Sequence, residues 1–450
     1  MTSTIADRGY GAYAWYVAII LTLANSFAFV DRQVLALLVE PIKADLGVSD
    51  TVMSLLYGFS FSLFYVLIGL PMARLADRSN RRNIIVASIV VWSAMTVLCG
   101  LARSTAMLFL ARVGVGAGEA GLTPSAQSML SDYFPKDRLP AALGVFSMGI
   151  YIGGGMALIL GGIVIHALSD MGSITLPLLG AVQPWQATFF IVGAPGIALG
   201  LLALTIREPQ RKGIVGPLRS LPLADMWRHI RASLSSYVGI IIGLSFMILV
   251  GQGSAAWLPA FFERTFGWGP TEIGFKYGLV VFFCGVAGTL TGGFVASDLR
   301  RRGFVRANLM AATFGFALLI PLTIAFPLMP SAPAALTVIG FMIFFAGFPF
   351  GGGYAALQEI TPNPMRAQIA ALYMLGVNLI GAGLGPTAIA LATDHIFHDP
   401  AALYKSLALV SAVFSPLALV FIAMALKSHP AAIARLDAAE AAEIAGRPHV

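Results

Sequence analysis

The sequence predicts an all-α membrane protein of twelve transmembrane helices in two six-helix, pseudo-symmetric bundles, and three observations predict it. The 450 residues are 58% hydrophobic and only 11% charged, against about 25% charged in soluble domains. Apolar stretches of about the 20 residues needed to cross a hydrocarbon core recur from Tyr13 to Lys427, with one long polar break. The loops between them are alternately rich and poor in Lys and Arg. Backbone groups in lipid must bond internally, which leaves helices or a closed barrel. The runs are continuously apolar rather than alternating, which excludes the barrel.

In chain order, spans are expected at 14–39, 52–76, 83–101, 106–131, 139–167 and 186–206, then at 235–262, 272–296, 305–326, 334–357, 366–393 and 402–427. The domain division that follows is 1–206, a six-helix bundle; 207–234, a cytoplasmic linker; 235–427, a second bundle; and 428–450, a cytoplasmic tail forming a short surface helix or left without structure. The first apolar run carries Asp31-Arg32, and no small-residue cleavage pattern follows it, so it reads as a span and not as a signal peptide.

Orientation follows from the cationic residues of short loops. One side receives Arg8, the Arg78–Arg82 loop, Lys136 and Arg138, the six cations of 207–234, Arg300–Arg302, Arg306, Arg366, and Lys427, Arg435 and Arg447. The other side receives only Lys43, Arg103, Arg264 and Lys405. Both termini are therefore expected in the cytoplasm, with the chain in the cell inner membrane. The net charge of +7 is a topology signal and argues for no nucleic-acid partner. Cys99 and Cys284 sit in apolar runs and read as small buried hydrophobes.

Four charges lie inside spans, where they are costly and mark function by default. Asp31 and Arg32 fall roughly 12 Å below the outer end of span 1, and Arg112 roughly 10 Å into span 4, at 1.5 Å per residue. Glu119 is two turns past Arg112 on the same face. Two readings are open. The charges are structural ion pairs locking helices, or Asp31, Arg112 and Glu119 form a protonation switch in which the Arg moves between two acids. A carboxyl in a low-dielectric cavity protonates more readily, and a nearby guanidinium opposes this. Arg keeps its charge throughout, so Arg32 is the candidate to bind an anionic group, with Asn25 seven residues earlier on its face. Lys276, four residues after Glu272, reads as an ordinary helix pair.

Other motifs mislead. Gly116-Ala117-Gly118-Glu119-Ala120-Gly121 matches a dinucleotide-binding pattern, but it lies inside an apolar span with no strand before it. Small residues there let helices approach closely. His395 and His398, between Asp394 and Asp399, have no partner motif for a metal site. No nucleophile elbow, Cys–His pairing or Walker loop is present, so neither an enzyme nor an ATP-driven pump is expected, and no cofactor or metal is expected.

The loop Ala73-Arg74-Leu75-Ala76-Asp77-Arg78-Ser79-Asn80-Arg81-Arg82 resembles the signature of the major facilitator superfamily, departing from it at Ala73 and Asn80. A weaker copy, Asp298-Leu299-Arg300-Arg301-Arg302, stands at the matching place in the second half. The resemblance implies the major facilitator fold and a cytoplasmic gate at Asp77, Arg78 and Arg81. Within that superfamily four stretches resemble the spinster group: Val30-Asp31-Arg32-Gln33, Arg112 to Ala120, Trp257-Leu258-Pro259-Ala260-Phe261-Phe262, and Asn378 to Pro386. Organic-anion symporters share a similar Arg and Glu-Ala pattern in span 4. The resemblance implies a proton-linked carrier of lipids such as lysophospholipids or sphingosine 1-phosphate-like molecules. It places Asp31, Arg112 and Glu119 at the coupling positions and Arg32 at a cavity arginine. Tyr57, Tyr151, Gln252, Tyr354 and Asn378 are candidates to line that cavity.

The expectation is a proton-coupled secondary active transporter working by alternating access on a lipid or other amphipathic organic anion. A symporter of a small organic anion such as a sugar acid is the alternative, and a non-transporting membrane scaffold or sensor is the alternative from another class. The expected partners are the substrate, protons and the bilayer, and the expected assembly is a monomer.

Overall fold

The structure, a computed structural model, describes residues 6–135, 138–169, 174–176, 180–211, 223–304, 307–362 and 365–445. The first half begins with α1 (Ala6–Leu37), followed by two short helices, α2 (Val39–Leu46) and α3 (Asp50–Ser54). A π-helical turn, Leu55–Phe59, leads into α4 (Ser60–Arg78), and α5 (Arg81–Cys99), α6 (Thr105–Glu119), α7 (Leu122–Tyr133), α8 (Leu139–Ser169) and α9 (Pro184–Ala203) follow. The second half comprises α10 (Leu223–Ala232), α11 (Leu234–Phe266), α12 (Pro270–Arg301), α13 (Ala307–Ala325), α14 (Ala332–Ala346), α15 (Pro349–Glu359) and α16 (Arg366–Leu375). A π-helical stretch, Gly376–Gly383, then precedes α17 (Leu384–Leu391), and a second, Ala392–Phe397, precedes α18 (Leu403–Ala445). Among the described residues ten helices are long and apolar enough to cross a membrane, and Ala332–Ala346 is a shorter apolar helix.

Two expected spans are interrupted, each at a proline. Span 4 divides into α6 and α7 at Ala120-Gly121. Pro124, in the first turn of α7, cannot donate to Ala120, and its ring crowds that carbonyl. Span 10 divides into α14 and α15 at Gly347-Phe348, with Pro349 opening the second piece. Two further features were not legible. A small hairpin pairs Ile174 with Val182 and Leu176 with Gly180. The tail is helical as far as Ala445 and continuous with the last apolar helix as α18, with Pro416 and Pro430 inside it.

Contacts divide the chain into two compact units. One holds Met1–Ile214, Ser254–Phe283 and Pro386–Leu403; the other holds Val215–Gly253, Cys284–Gly385 and Tyr404–Val450. This division follows contact, and the chain-order division at 206, 234 and 427 stays an expectation. In the first unit α1 packs on α8, α5 on α6 and α9, and α4 on α6. In the second, α13 packs on α14 and α15.

Glycines set the closest of these approaches. A Cβ at Gly116 would lie 2.5 Å from the Phe61 carbonyl oxygen, and one at Gly118 2.7 Å from the Trp92 nitrogen. The pattern that mimics a nucleotide loop therefore seats α6 against α4 and α5. Gly274 and Gly162 do the same between α12 and α8, since a Cβ at Gly274 would stand 2.3 Å from the Leu158 carbonyl.

Candidate functional site

The tight seat of α6 matters because α6 carries Arg112 and Glu119. All four intramembrane charges meet in the first unit. Asp31, Arg112 and Glu119 are almost fully buried, at 3%, 1% and 1% exposure, while the Arg32 side chain keeps 23%. Arg32 reaches from α1 to α6 and grips one oxygen of Glu119, with Nε 2.8 Å and Nη2 2.5 Å from Oε2. Its guanidinium lies among aromatic faces, 4.3 Å from the ring centre of Phe61, 4.8 Å from Phe29 and 5.2 Å from Tyr65. A desolvated cation over such faces gains on the order of 2 kcal/mol.

Asp31 points elsewhere. Its Oδ2 accepts a hydrogen bond of 3.0 Å from Thr96 Oγ1 on α5. Arg112 donates from Nη1 to the main-chain carbonyl of Asp31 at 3.4 Å and forms no ion pair among the described residues. Arg112 Nε and Glu119 Oε1 are buried without a hydrogen-bond partner. The depth estimate matched Asp31 to Arg112, and the structure joins them only through the Asp31 main-chain carbonyl. Depth does not choose the partner. Residues 31 and 32 leave their helix about 100° apart, the angle of one residue in a 3.6-residue turn, and the longer arm of Arg32 is the one that reaches Glu119. Thr96, Phe29, Phe61 and Tyr65 were missed, because a threonine or an aromatic inside an apolar span carries no sequence signal of its own.

The remaining candidates are dispersed. Asn25 donates to the Phe146 carbonyl at 2.9 Å and so ties α1 to α8. Tyr57, on the π turn, donates to Gln33 Oε1 at 3.0 Å. Tyr151, on α8, is half-buried. In the second unit Gln252 is half-buried on α11, the Tyr354 ring lies 5.3 Å from that of Tyr373, and Asn378 donates to the Met374 carbonyl of its own helix at 2.9 Å. The Glu272–Lys276 pair forms as read, at 2.6 Å.

Each end of the first unit carries a charge cluster. At one, buried Arg81 binds Asp132 at 2.5 Å, Glu208 at 2.7 Å and Ser128 at 3.0 Å. Arg78 is exposed, and the Asp77 side chain lies outside the described residues. At the other, Arg264 holds Glu40 at 2.6 Å and Asp50 at 2.6 Å, Lys43 also pairs with Asp50, and the Pro400 carbonyl accepts from Arg264 at 3.3 Å. Asp394 accepts from both the amide and the hydroxyl of Thr51, each at 2.7 Å.

The fold and the sequence both have relatives. A crystal structure of a bacterial homologue of the human lysosomal transporter spinster, inward-facing and unoccupied, superposes with a TM-score of 0.71 at 30% identity over 94% of this chain and 97% of that one. A protein named MFS-type efflux pump from Mycolicibacterium smegmatis is 29% identical over 88% of each chain. The probable galactarate/D-glucarate transporter GudP of Bacillus subtilis is 26% identical over 78% of this chain and 79% of its own. The profile of the Major Facilitator Superfamily matches residues 21–386. With its helical membrane fold, this match identifies the chain as a multi-pass member of the Major Facilitator Superfamily, a family of transporters and not of enzymes.

Proposed function

We propose that this chain is a proton-coupled secondary active transporter of an amphipathic organic anion, a lysophospholipid or sphingosine 1-phosphate-like molecule, working by alternating access. The observation that carries the reading is the Arg32–Glu119 pair: a permanent cation, part-exposed and ringed by Phe29, Phe61 and Tyr65, whose only ion-pair partner among the described residues is a buried acid. Removing one partner of a buried pair leaves an uncompensated charge and costs about 3–5 kcal/mol. A proton on Glu119 cancels that penalty and releases Arg32. An anionic head group then takes the place of the carboxylate, and its apolar body suits the aromatic faces. Proton and anion load together because one guanidinium serves both. Asp31 is the second proton carrier in this reading, and Arg112 stands beside it, donating to its main-chain carbonyl. Asn25, Tyr57, Tyr151, Gln252, Tyr354 and Asn378 are proposed around the substrate path, with Asn25 acting through helix spacing.

In this reading the halves 1–206 and 235–427 rock about the site, and both termini face the cytoplasm of a cell whose inner membrane holds the protein as a monomer. The Arg264 end is the outer one and is closed. Asp77, Arg78 and Arg81 stand at the inner gate. The second reading, a symporter of a small organic anion such as a sugar acid, draws support from the likeness to the galactarate/D-glucarate transporter. Uptake into proteoliposomes distinguishes them, using a panel of lysophospholipids and sugar acids with and without an imposed proton gradient. Gradient-driven uptake of a lysophospholipid is expected, and it should vanish in Glu119→Gln while exchange persists. Uptake of sugar acids alone favours the second reading. Uptake that ignores the gradient sinks proton coupling.

A further inference from the structure

Many threonines inside these helices follow one habit. Thr22 donates to the Ala18 carbonyl at 2.7 Å, Thr289 to Gly285 at 2.9 Å, Thr313 to Leu309 at 2.7 Å and Thr361 to Leu357 at 2.7 Å, each one turn back on its own helix. In a medium without water the preceding carbonyl is the nearest acceptor, and back-bonding is the default. Thr96 departs from the habit. Its hydroxyl crosses from α5 to α1 and donates to Asp31 Oδ2 at 3.0 Å. Both residues are buried, at 1% and 3% exposure. The charged and titratable groups around Asp31 are Arg32 on its own helix, Arg112 and Glu119 on α6, and Cys99 on α5. None of them hydrogen-bonds its carboxyl group, since Arg112 is turned to the backbone carbonyl.

A hydroxyl is unlike an arginine in one respect that matters here. It has one donor hydrogen and two acceptor lone pairs. We propose that Thr96 is the positioning residue for the proton of Asp31: it donates to the ionised carboxylate, rotates, and accepts from the carboxylic acid. Asp31 then changes charge without losing its partner and without any helix moving. A cation at the same place would hold the ionised form only. The inference rests on the proton-coupled reading above and names the group that keeps one of its acids in register.

The test uses the full-length protein in liposomes. Thr96→Val keeps the shape and removes the hydroxyl, and Thr96→Ser keeps the hydroxyl. The pH profile of gradient-driven uptake is expected to move toward higher pH by about one unit in Thr96→Val, because the ionised acid loses a charge-assisted hydrogen bond that is stronger than the neutral one the carboxylic acid loses. The profile should stay in place in Thr96→Ser. A Thr96→Val profile that superimposes on the parent overturns the inference. Infrared spectroscopy gives an answer that needs no valine variant. The carboxylic C=O band that disappears in Asp31→Asn should lie in the hydrogen-bonded range in the parent, and a band at the free-acid frequency overturns the inference. If Asp31→Asn keeps a full gradient response, the coupling reading itself fails. If Asp31→Asn loses that response and Thr96→Val does not shift, only the role of Thr96 falls.

Discussion

Arg81 and Arg264 each hold two carboxylates in a buried fork, with nearly the same distances, and differ in where those carboxylates come from. The partners of Arg81 are Asp132, in the first half of the chain, and Glu208, at the start of the linker that follows it, and all three lie in the same compact unit. Arg264 opens the second half of the chain, yet it binds Glu40 and Asp50, which lie 224 and 214 residues earlier. Beside it Thr51 and Asp394 are joined across 343 residues. In a carrier whose halves rock, a cluster confined to one half survives the whole cycle, and a cluster that joins spans of both halves must break in it. Geometry alone does not separate a rivet from a latch. Under the proposed division into halves at 1–206 and 235–427, connectivity along the chain does.

The comparison can be broken most easily at Arg81. Its side chain is 1% exposed, and Arg81→Ala takes a buried guanidinium away from Asp132 and Glu208, although the Arg82 amide still serves Glu208 at 3.0 Å. A loss of about 3–5 kcal/mol is expected, read as lower yield and earlier thermal unfolding of the purified protein. A variant of normal stability would show that the cluster is no rivet. Arg264→Ala should behave differently. Lys43 still serves Asp50, so the fold should hold while the end opens more often. With Cys284 replaced and a cysteine placed at Thr51, labelling by a polar thiol reagent should quicken by about tenfold or more, since hydrogen bonds to charged groups contribute about 1.5–3 kcal/mol. Unchanged labelling would remove Arg264 from the latch.

Asp394→Asn sharpens the same point. It weakens the two bonds from Thr51 and keeps the side-chain shape, so a few-fold rise in labelling at a nearby engineered cysteine such as Val52→Cys is expected, in line with about 1 kcal/mol per neutral bond. The smallest effect should come from Lys276→Met. The Glu272–Lys276 pair is half-exposed on one helix, and about 0.5 kcal/mol or less should be lost, within the error of a thermal melt. A larger loss would mean that surface pairs matter here as much as buried ones.

The sequence carried the fold further than the site. Helix number, order and loop bias are written in apolar runs and in the placing of Lys and Arg, because lipid imposes them on every residue of a span. The glycines of span 4 were rightly read as a packing surface. The breaks at Ala120 and Gly347 were missed, although Pro124 and Pro349 stood in plain view, since prolines are common in membrane helices and most, such as Pro71 and Pro259, lie inside unbroken ones. At the site, burial cost singles out Asp31, Arg32, Arg112 and Glu119 from any apolar background. Which of the four touch depends on rotation about the helix axes and on side-chain reach, and neither has a one-dimensional trace. Asn25 shows the limit well. It shares a face with Arg32, yet its amide is committed to Phe146.

The last helix is 43 residues long, or about 65 Å at 1.5 Å per residue, roughly twice the hydrocarbon thickness of about 30 Å. Its far part is not left loose. His429 meets the Ala356 carbonyl at 2.9 Å, and Arg435 meets that of Ala232. These contacts tie its far part to α15 and α10, so the three move as one arm, and an arm that long acts as a lever. A tilt too small to notice among the spans becomes a displacement of several ångströms at the exposed positions Ala434 and Asp437. If the protein works by the alternating access proposed above, labels there would read its working stroke without touching any residue proposed to bind substrate or proton.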